Sequence, residues 1–340
     1  MTRDPARIAV IGAGLIGRRH AAAIAASDTA VLAGLADPAE AARDLAGELG
    51  VPWFADLEAM LAAGGIDGGA DGVILATPNQ LHVAQGLACV EARIPALIEK
   101  PIATDVTEAA GVPLLVGHHR RHNPLIETAK RPIEAGEIGA IVAVHGMFWL
   151  YKPDDYFDTA WRTQPGAGPV FLNLIHDIDL LRHLCGEITG VQALQSNAVR
   201  GHAVEETMAI LLQFEGGALG TVSASDTVVA PWSWELTAAE NPAYHPTDQA
   251  CYLIGGTHGS LELPHASLWQ NPGARSWWQP VERHALDVET EDPLVRQIRH
   301  FAAVIHGDTA PLVSGREGLE TLRVIEAVKR AAESGEAVTL

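Results

Sequence analysis

The stretch Ile8-Ala9-Val10-Ile11-Gly12-Ala13-Gly14-Leu15-Ile16-Gly17 decides the fold. Its four leading apolar residues, closed by a glycine, read as a short strand buried on both faces, and the Ala-rich run Ile16 to Ala26 reads as a helix. Between them Gly12, Gly14 and Gly17 form a Gly-x-Gly-x-x-Gly pattern. The pattern alone is weak; a strand before it and a helix after it make it a dinucleotide fingerprint. The first glycine allows the tight turn, the second lets a pyrophosphate approach the backbone, and the third lets helix and strand pack closely. The helix N-terminus then offers unpaired N–H groups to phosphate. Asp37 stands twenty residues past Gly17, at the end of a second strand, Val31 to Ala36. A carboxylate there accepts hydrogen bonds from the adenosine ribose hydroxyls. Its neighbours Pro38 and Ala39 supply no cation for a 2′-phosphate, so NAD is favoured over NADP, with Arg43 further along as the opposing consideration.

Outward from this stretch, strands and helices alternate. Ala39 to Leu49 is helical in composition and stops at Gly50; Asp56 can cap a helix over Leu57 to Ala63. Gly72 to Ala76 is a strand followed by Thr77-Pro78-Asn79, Gln80 to Ala92 is a helix, and the apolar run Ile94 to Ile98 leads into Glu99-Lys100-Pro101. Such alternation means a parallel sheet covered by helices on both faces, and open parallel sheets bind ligands at their carboxyl edge. Lys100 belongs to that edge. A lysine there can exchange a proton with a substrate hydroxyl while a nicotinamide takes the hydride, and burial beside a cationic ring favours its neutral amine. This chemistry points to a dehydrogenase.

A chain of 340 residues, 48% hydrophobic, suits two domains. The formal charge of -19 argues against a nucleic-acid partner, which needs clustered Lys and Arg. No apolar run has transmembrane length, so no membrane partner is expected. The three cysteines lack metal-ligand spacing and suit reduced thiols in the cytoplasm; no metal is expected. Past Pro124 the strand-like runs lengthen: Ile141 to Trp149, Gly190 to Ala198, Thr207 to Phe214 and Ala218 to Asp226, with helices Leu294 to Ile305 and Arg316 to Ser334 closing the chain. In the segment around His176, apolar residues take helical spacing from Leu174 onward. Asn173 and His176, three apart, can share a face. An imidazole there can hydrogen-bond the reacting hydroxyl or act as acid–base partner of Lys100. Asp179 shares that face and either orients His176, meets substrate or is a solvated charge. Arg120 and Arg121 follow the strand Val112 to Gly117, where an arginine could hold a carboxylate or bridge hydroxyls. One connection is odd. Only Pro101 to Gly111 join Lys100 to that strand, whereas a parallel crossover takes about a dozen residues or more. Either the crossover is short or the chain is interrupted near Val106 and Thr107.

The fingerprint Gly12 to Gly17, Ala76-Thr77-Pro78-Asn79 with His82, Glu99-Lys100-Pro101, Gly117 to Pro124, Trp161-Arg162, His176-Asp177-Ile178-Asp179 and Ser314 to Leu319 occur in that order. With them the chain resembles the Gfo/Idh/MocA oxidoreductases over nearly its whole length. The resemblance implies an α/β protein with an N-terminal Rossmann dinucleotide-binding domain over residues 1–123. A C-terminal α/β domain over 124–340 would carry a large, mostly antiparallel open sheet used to form a homodimer or homotetramer. It implies NAD held by Gly12, Ala13, Gly14, Leu15, Ile16, Asp37, Thr77, Pro78, Asn79, His82, Glu99 and Lys100. Lys100 and His176 are the catalytic pair it implies. Arg120, Tyr156, Trp161, Arg162, Asn173 and Asp179 would meet a small polar substrate: a sugar, cyclitol or sugar acid. The chain departs from the inositol-dehydrogenase pattern at Leu172, where those enzymes carry an aspartate four residues before the histidine; Asn173 is the residue that could partly substitute. Relatives also carry a longer helix after the lysine. Two other readings remain open at this stage: a glycosidase that keeps NAD bound and oxidises its substrate transiently, and a non-catalytic NAD-sensing module.

Overall fold

The computed structural model describes residues 3–63, 69–101 and 112–340; the connection at Val106 and Thr107 lies outside the described residues. The chain divides into two compact units, Met1–Asn123 with Glu291–Glu320, and Pro124–Thr290 with Thr321–Leu340.

Among the described residues the first unit is built on six strands: β1 (Ala6–Ile11), β2 (Ala30–Ala36), β3 (Trp53–Phe54), β4 (Gly72–Leu75), β5 (Ala96–Ile98) and β6 (Leu114–Val116). Their order is β3-β2-β1-β4-β5-β6 and every neighbouring pair is parallel. This is the doubly wound order, with the strand direction of travel reversing between β1 and β4. Strands covered on both faces need apolar residues at every position; Ile8, Val10, Val73, Ile74, Leu75, Leu97 and Ile98 are all fully buried. Helices Leu15–Ala26, Glu40–Leu49, Leu57–Ala62 and His82–Glu91 fall where the sequence expects them. Gly50 ends its helix in the left-handed conformation, and Asp56 caps the next by accepting from Ala59 N at 2.7 Å. β3, two residues long, has no sequence signal of its own.

One expectation is corrected here. The sequence assigns everything after residue 123 to the second domain, but residues 291–320 pack with the first. Leu294, Ile298, Phe301 and Ala302 of helix Pro293–Ile305 share one core with Ile8, Val73 and Leu97. β4 starts with a glycine because a Cβ at Gly72 would meet Ile305 Cδ1 at 2.6 Å. The apolar stripe of that helix announces burial, not the partner against which it is buried.

The second unit carries nine strands: β7 (Ile141–Trp149), β8 (Ile188–Ser196), β9 (Thr207–Phe214), β10 (Leu219–Ser225), β11 (Tyr252–Gly256), β12 (Gly259–Leu263), β13 (Ser267–Gln270), β14 (Glu282–Ala285) and β15 (Val338–Thr339). The order is β14-β13-β12-β11-β7-β10-β9-β8-β15, antiparallel throughout except for β7 and β10. Phe148, Met208, Ile210, Leu212 and Val222 face helix Ile175–Cys185 and the end of helix Gly315–Ser334, packing with Ile178, Leu181, Ile325 and Val328. Alternate residues turn to the other face, where Leu194, Leu211 and Leu219 are 72%, 52% and 61% exposed. Period-two alternation is what a sheet with one covered face requires.

Candidate active site

The fingerprint loop has the shape its glycines foretell. Gly12 takes φ 94°, and a Cβ there would lie 2.6 Å from Ala76 O, so the turn after β1 is pressed against the end of β4. Above Gly14 there is open space. Gly14 is also the N-cap of helix Leu15–Ala26 and gives it no side-chain cap, which leaves the first N–H groups for an anion. Asp37 closes this cradle: Oδ2 accepts from Ala13 N at 2.8 Å and Oδ1 from Ala39 N at 2.8 Å. The carboxylate is thereby fixed beside the loop, with lone pairs remaining for ribose hydroxyls. Trp53 Nε1 donates to Asp37 O at 3.1 Å, and the Arg43 guanidinium lies 5.4 Å from the Trp53 ring centroid. These residues fit a dinucleotide.

Lys100, half-buried, follows β5 at the carboxyl edge of the same sheet. Two of its expected companions at the cofactor make contacts within the protein. His82 is buried, with Nε2 2.9 Å from Thr77 O and Nδ1 3.2 Å from Pro101 O. It ties the turn after β4 to the turn after β5, donating through whichever nitrogen carries the proton. Thr77 Oγ1 in turn donates to Gln85 Oε1 at 2.6 Å. The Glu99 carboxylate points inward and accepts from His20 Nε2 at 2.7 Å. Burial pushes the Glu99 carboxyl up, but the His20 hydrogen bond, with His20 and Lys100 beside it, outweighs burial and holds the pKa below its ordinary value. Pro78 and Asn79 open the short helical turn after β4. Of the two arginines after β6, Arg121 donates to Glu317 Oε2 at 2.9 Å, while Arg120 lies buried in the same turn.

In the second unit, Tyr156 and Arg162 sit together: Arg162 Nη1 donates to Tyr156 O at 2.7 Å and its guanidinium lies 4.1 Å from the ring centroid. Trp161 beside them is mostly exposed. Leu172, the position of the departure from the inositol-dehydrogenase pattern, lines a small cavity with Lys152, Tyr156, Arg162, Arg200 and Asp226. Lys152 and Arg200 both pair with Asp226, at 3.4 Å and 2.6 Å. Burial lowers the pKa of Lys152, against the opposing pull of Asp226. Sequence reasoning missed these three. Lys152 and Asp226 follow the ends of paired strands, but a pairing is not visible before the fold is known, and Arg200 carries no signal. Asn173 lies in the π-helical turn Val170–Leu174 that leads into helix Ile175–Cys185, and among the described residues its Oδ1 has no hydrogen-bond partner. His176 is half-buried in the first turn of that helix. Asp179 is buried and accepts from Thr321 Oγ1 at 2.9 Å, while Asp177 accepts from Tyr252 OH. Both carboxylates seat the helix, because its inner face needs partners for any charge it buries.

Among the described residues, no helix is long and apolar enough to cross a membrane and no cluster of His, Cys, Asp or Glu could hold a metal ion. Two family models match the chain: residues 6–118 match the oxidoreductase family with NAD-binding Rossmann fold, and residues 126–262 match the GFO/IDH/MocA C-terminal domain. The chain belongs to the GFO/IDH/MocA oxidoreductase family. Its first unit is thus an NAD-binding Rossmann domain, and the protein is an NAD(P)-dependent oxidoreductase. Among its relatives, D-xylose 1-dehydrogenase (NADP+) 2 of Haloferax volcanii is 27% identical, over 97% of this chain and 95% of that one. The scyllo-inositol 2-dehydrogenase (NAD+) of Bacillus subtilis is also 27% identical, over 98% and 96%. In structure, the WlbA dehydrogenase of Bordetella pertussis, solved with NADH and UDP-GlcNAcA, superposes with a TM-score of 0.77 at 26% identity, covering 99% of each chain.

Proposed function

We propose that this oxidoreductase acts on a secondary alcohol of a sugar, cyclitol or sugar acid, with NAD as hydride acceptor, Lys100 as acid–base group and His176 assisting it. The observation that carries the reading is the position of Lys100, at the carboxyl end of β5 in a sheet whose switch-point loop has the cradle for a dinucleotide. Sugar and cyclitol dehydrogenases among the relatives support the substrate class. Bound NAD supplies the electrophilic ring carbon that accepts hydride. Lys100 takes the hydroxyl proton as the C–H bond breaks, and returns it in the reverse direction. His176 hydrogen-bonds the same hydroxyl or relays the proton. Arg120, Tyr156, Trp161 and Arg162 hold the remaining hydroxyls or a carboxylate. Asn173 takes part of the hydrogen-bonding role that Leu172 cannot fill. Asp37 selects NAD, because a carboxylate repels a 2′-phosphate.

The nucleotide belongs to residues 1–123 in this reading, and substrate recognition and assembly to the unit that carries the nine-stranded sheet. The exposed leucines of the nine-stranded sheet support a homodimer or homotetramer formed through that face. The free cysteines Cys89, Cys185 and Cys251 suit a reducing cytoplasm. The test is a screen of polyols, sugars and sugar acids with NAD for NADH formation. Steady NADH production from one class is expected. Substrate consumption with no net NADH, or NAD binding without any turnover, would overturn the reading.

A further inference from the structure

Glu99 and His20 stand out among the buried polar groups of the first unit. Their side chains are 11% and 0% exposed, and they meet at 2.7 Å. A carboxylate in an apolar interior is costly unless something requires it. The fold makes room for this one: a Cβ at Gly117 would fall 2.8 Å from the Glu99 carboxyl carbon. His20 is on helix Leu15–Ala26, which begins at the pyrophosphate loop. Glu99 is still within the ladder, donating its N–H to Leu75 O at 3.0 Å. Lys100 is the next residue along, at a bend where the chain leaves β5, so anchoring the Glu99 side chain restrains the backbone that carries the lysine.

We propose that the Glu99–His20 pair is a positioning device for Lys100, which fixes the strand end bearing the lysine to the helix of the pyrophosphate loop and keeps a negative charge behind its amine. The proposal rests on Lys100 being the acid–base group. The groups facing Glu99 are His20 from the helix, His119 from the turn His119–His122 and Lys100 from its own strand end. His119 stays neutral, its pKa pushed down to about 3, first by burial and then by Arg120, with Arg19 and His20 adding to this and Glu99 opposing it. Lys100 is thus the immediate neighbour of a buried, ionised Glu99. A nearby anion favours the ammonium form of a lysine. Removing that charge therefore lets Lys100 lose its proton at lower pH.

The experiment compares wild type with Glu99→Gln, which preserves shape and an acceptor for His20 but removes the charge. Measured are the pH profile of kcat/KM for alcohol oxidation and NAD affinity by fluorescence titration. Oxidation needs the neutral amine, so its rate rises with pH through the Lys100 pKa. Glu99→Gln is expected to move that acid limb down by about one pH unit, with NAD affinity within about threefold. An acid limb that stays in place, with the rate unchanged or lowered evenly at all pH values, overturns the proposal. If Glu99→Gln does not fold, His20→Ala, which removes the hydrogen bond that anchors Glu99, carries the same test; an unmoved limb there overturns it equally. Lys100→Met separates the two levels. If that variant turns over normally, the acid–base assignment fails first; if it is inactive while the Glu99→Gln limb is unmoved, only the positioning role falls.

Discussion

The two sheets of this protein solve the same burial problem differently. The six-stranded sheet is parallel and covered on both faces, so its strands are apolar at successive positions, as in Val73-Ile74-Leu75. The nine-stranded sheet is mostly antiparallel and covered on one face, so Met208, Ile210 and Leu212 are buried while Ala209 and Leu211 are exposed. A sheet with no free face can offer a ligand only its edge, and there the glycine loop, Asp37 and Lys100 are gathered. A sheet with a free face has a surface to spend on association. Chemistry at an edge and assembly on a face are the two uses the difference suggests.

The sharpest way to break this comparison is at the edge. Lys100→Met is expected to lower kcat by about a hundred- to ten-thousand-fold while NAD affinity, measured by titration, is nearly kept, since loop and Asp37 supply most of the grip. His176→Ala should cost less, and the two losses should not add, because both serve one proton transfer. A Lys100→Met enzyme within a few-fold of wild type would remove the edge from the mechanism.

The two faces of the nine-stranded sheet should respond unequally. Phe148→Ala, on the covered face, is expected to destabilise the fold by about 3–5 kcal/mol in denaturant unfolding. Leu211→Ser, on the open face, should change subunit stability by about 0.5 kcal/mol or less yet shift light scattering towards monomer. Equal destabilisation, or an unchanged oligomer, would count against assembly through that face.

Acid should loosen the first unit ahead of the second. The pKa values of His119, His122 and His300 lie below the ordinary histidine value and that of Glu99 below the ordinary carboxylate value, all owing to burial or its partners in that unit. The unfolded chain therefore binds more protons than the folded one, from about pH 6.5 down to about 3 for His119 and below about 4.5 for Glu99. Stability rises with pH in those windows and is lost on acidification. Hydrogen exchange should show β5 and β6 losing protection before β9 and β10 as pH falls below 6.5; the reverse order would refute it.

The smallest expected effect is in cofactor choice. NAD should bind more tightly than NADP by about tenfold, and Asp37→Ala should narrow the gap. Equal affinity in wild type would mean that Arg43 leaves Trp53 to reach the 2′-phosphate.

The sequence by itself determined what short-range pattern can carry. Ile8 to Ile11 before Gly12-x-Gly14-x-x-Gly17 announced the nucleotide loop. Strand-like runs marked β7 at Ile141–Trp149 and β9 at Thr207–Phe214, and Asp56 declared its cap. Strand periodicity, glycine conformation and capping are local, so they are legible. Only the tertiary structure decided the partners. It joined Glu99 to His20 across 79 positions and Asp179 to Thr321 across 142, and it packed helix Pro293–Ile305 under β4. The strands β11 to β14 are brief and cut by glycines and turns, so their pairing comes from neighbours rather than from any period of their own. A buried polar group is satisfied by whatever the fold brings within about 3 Å, and nothing in the residues beside it in the chain names that group.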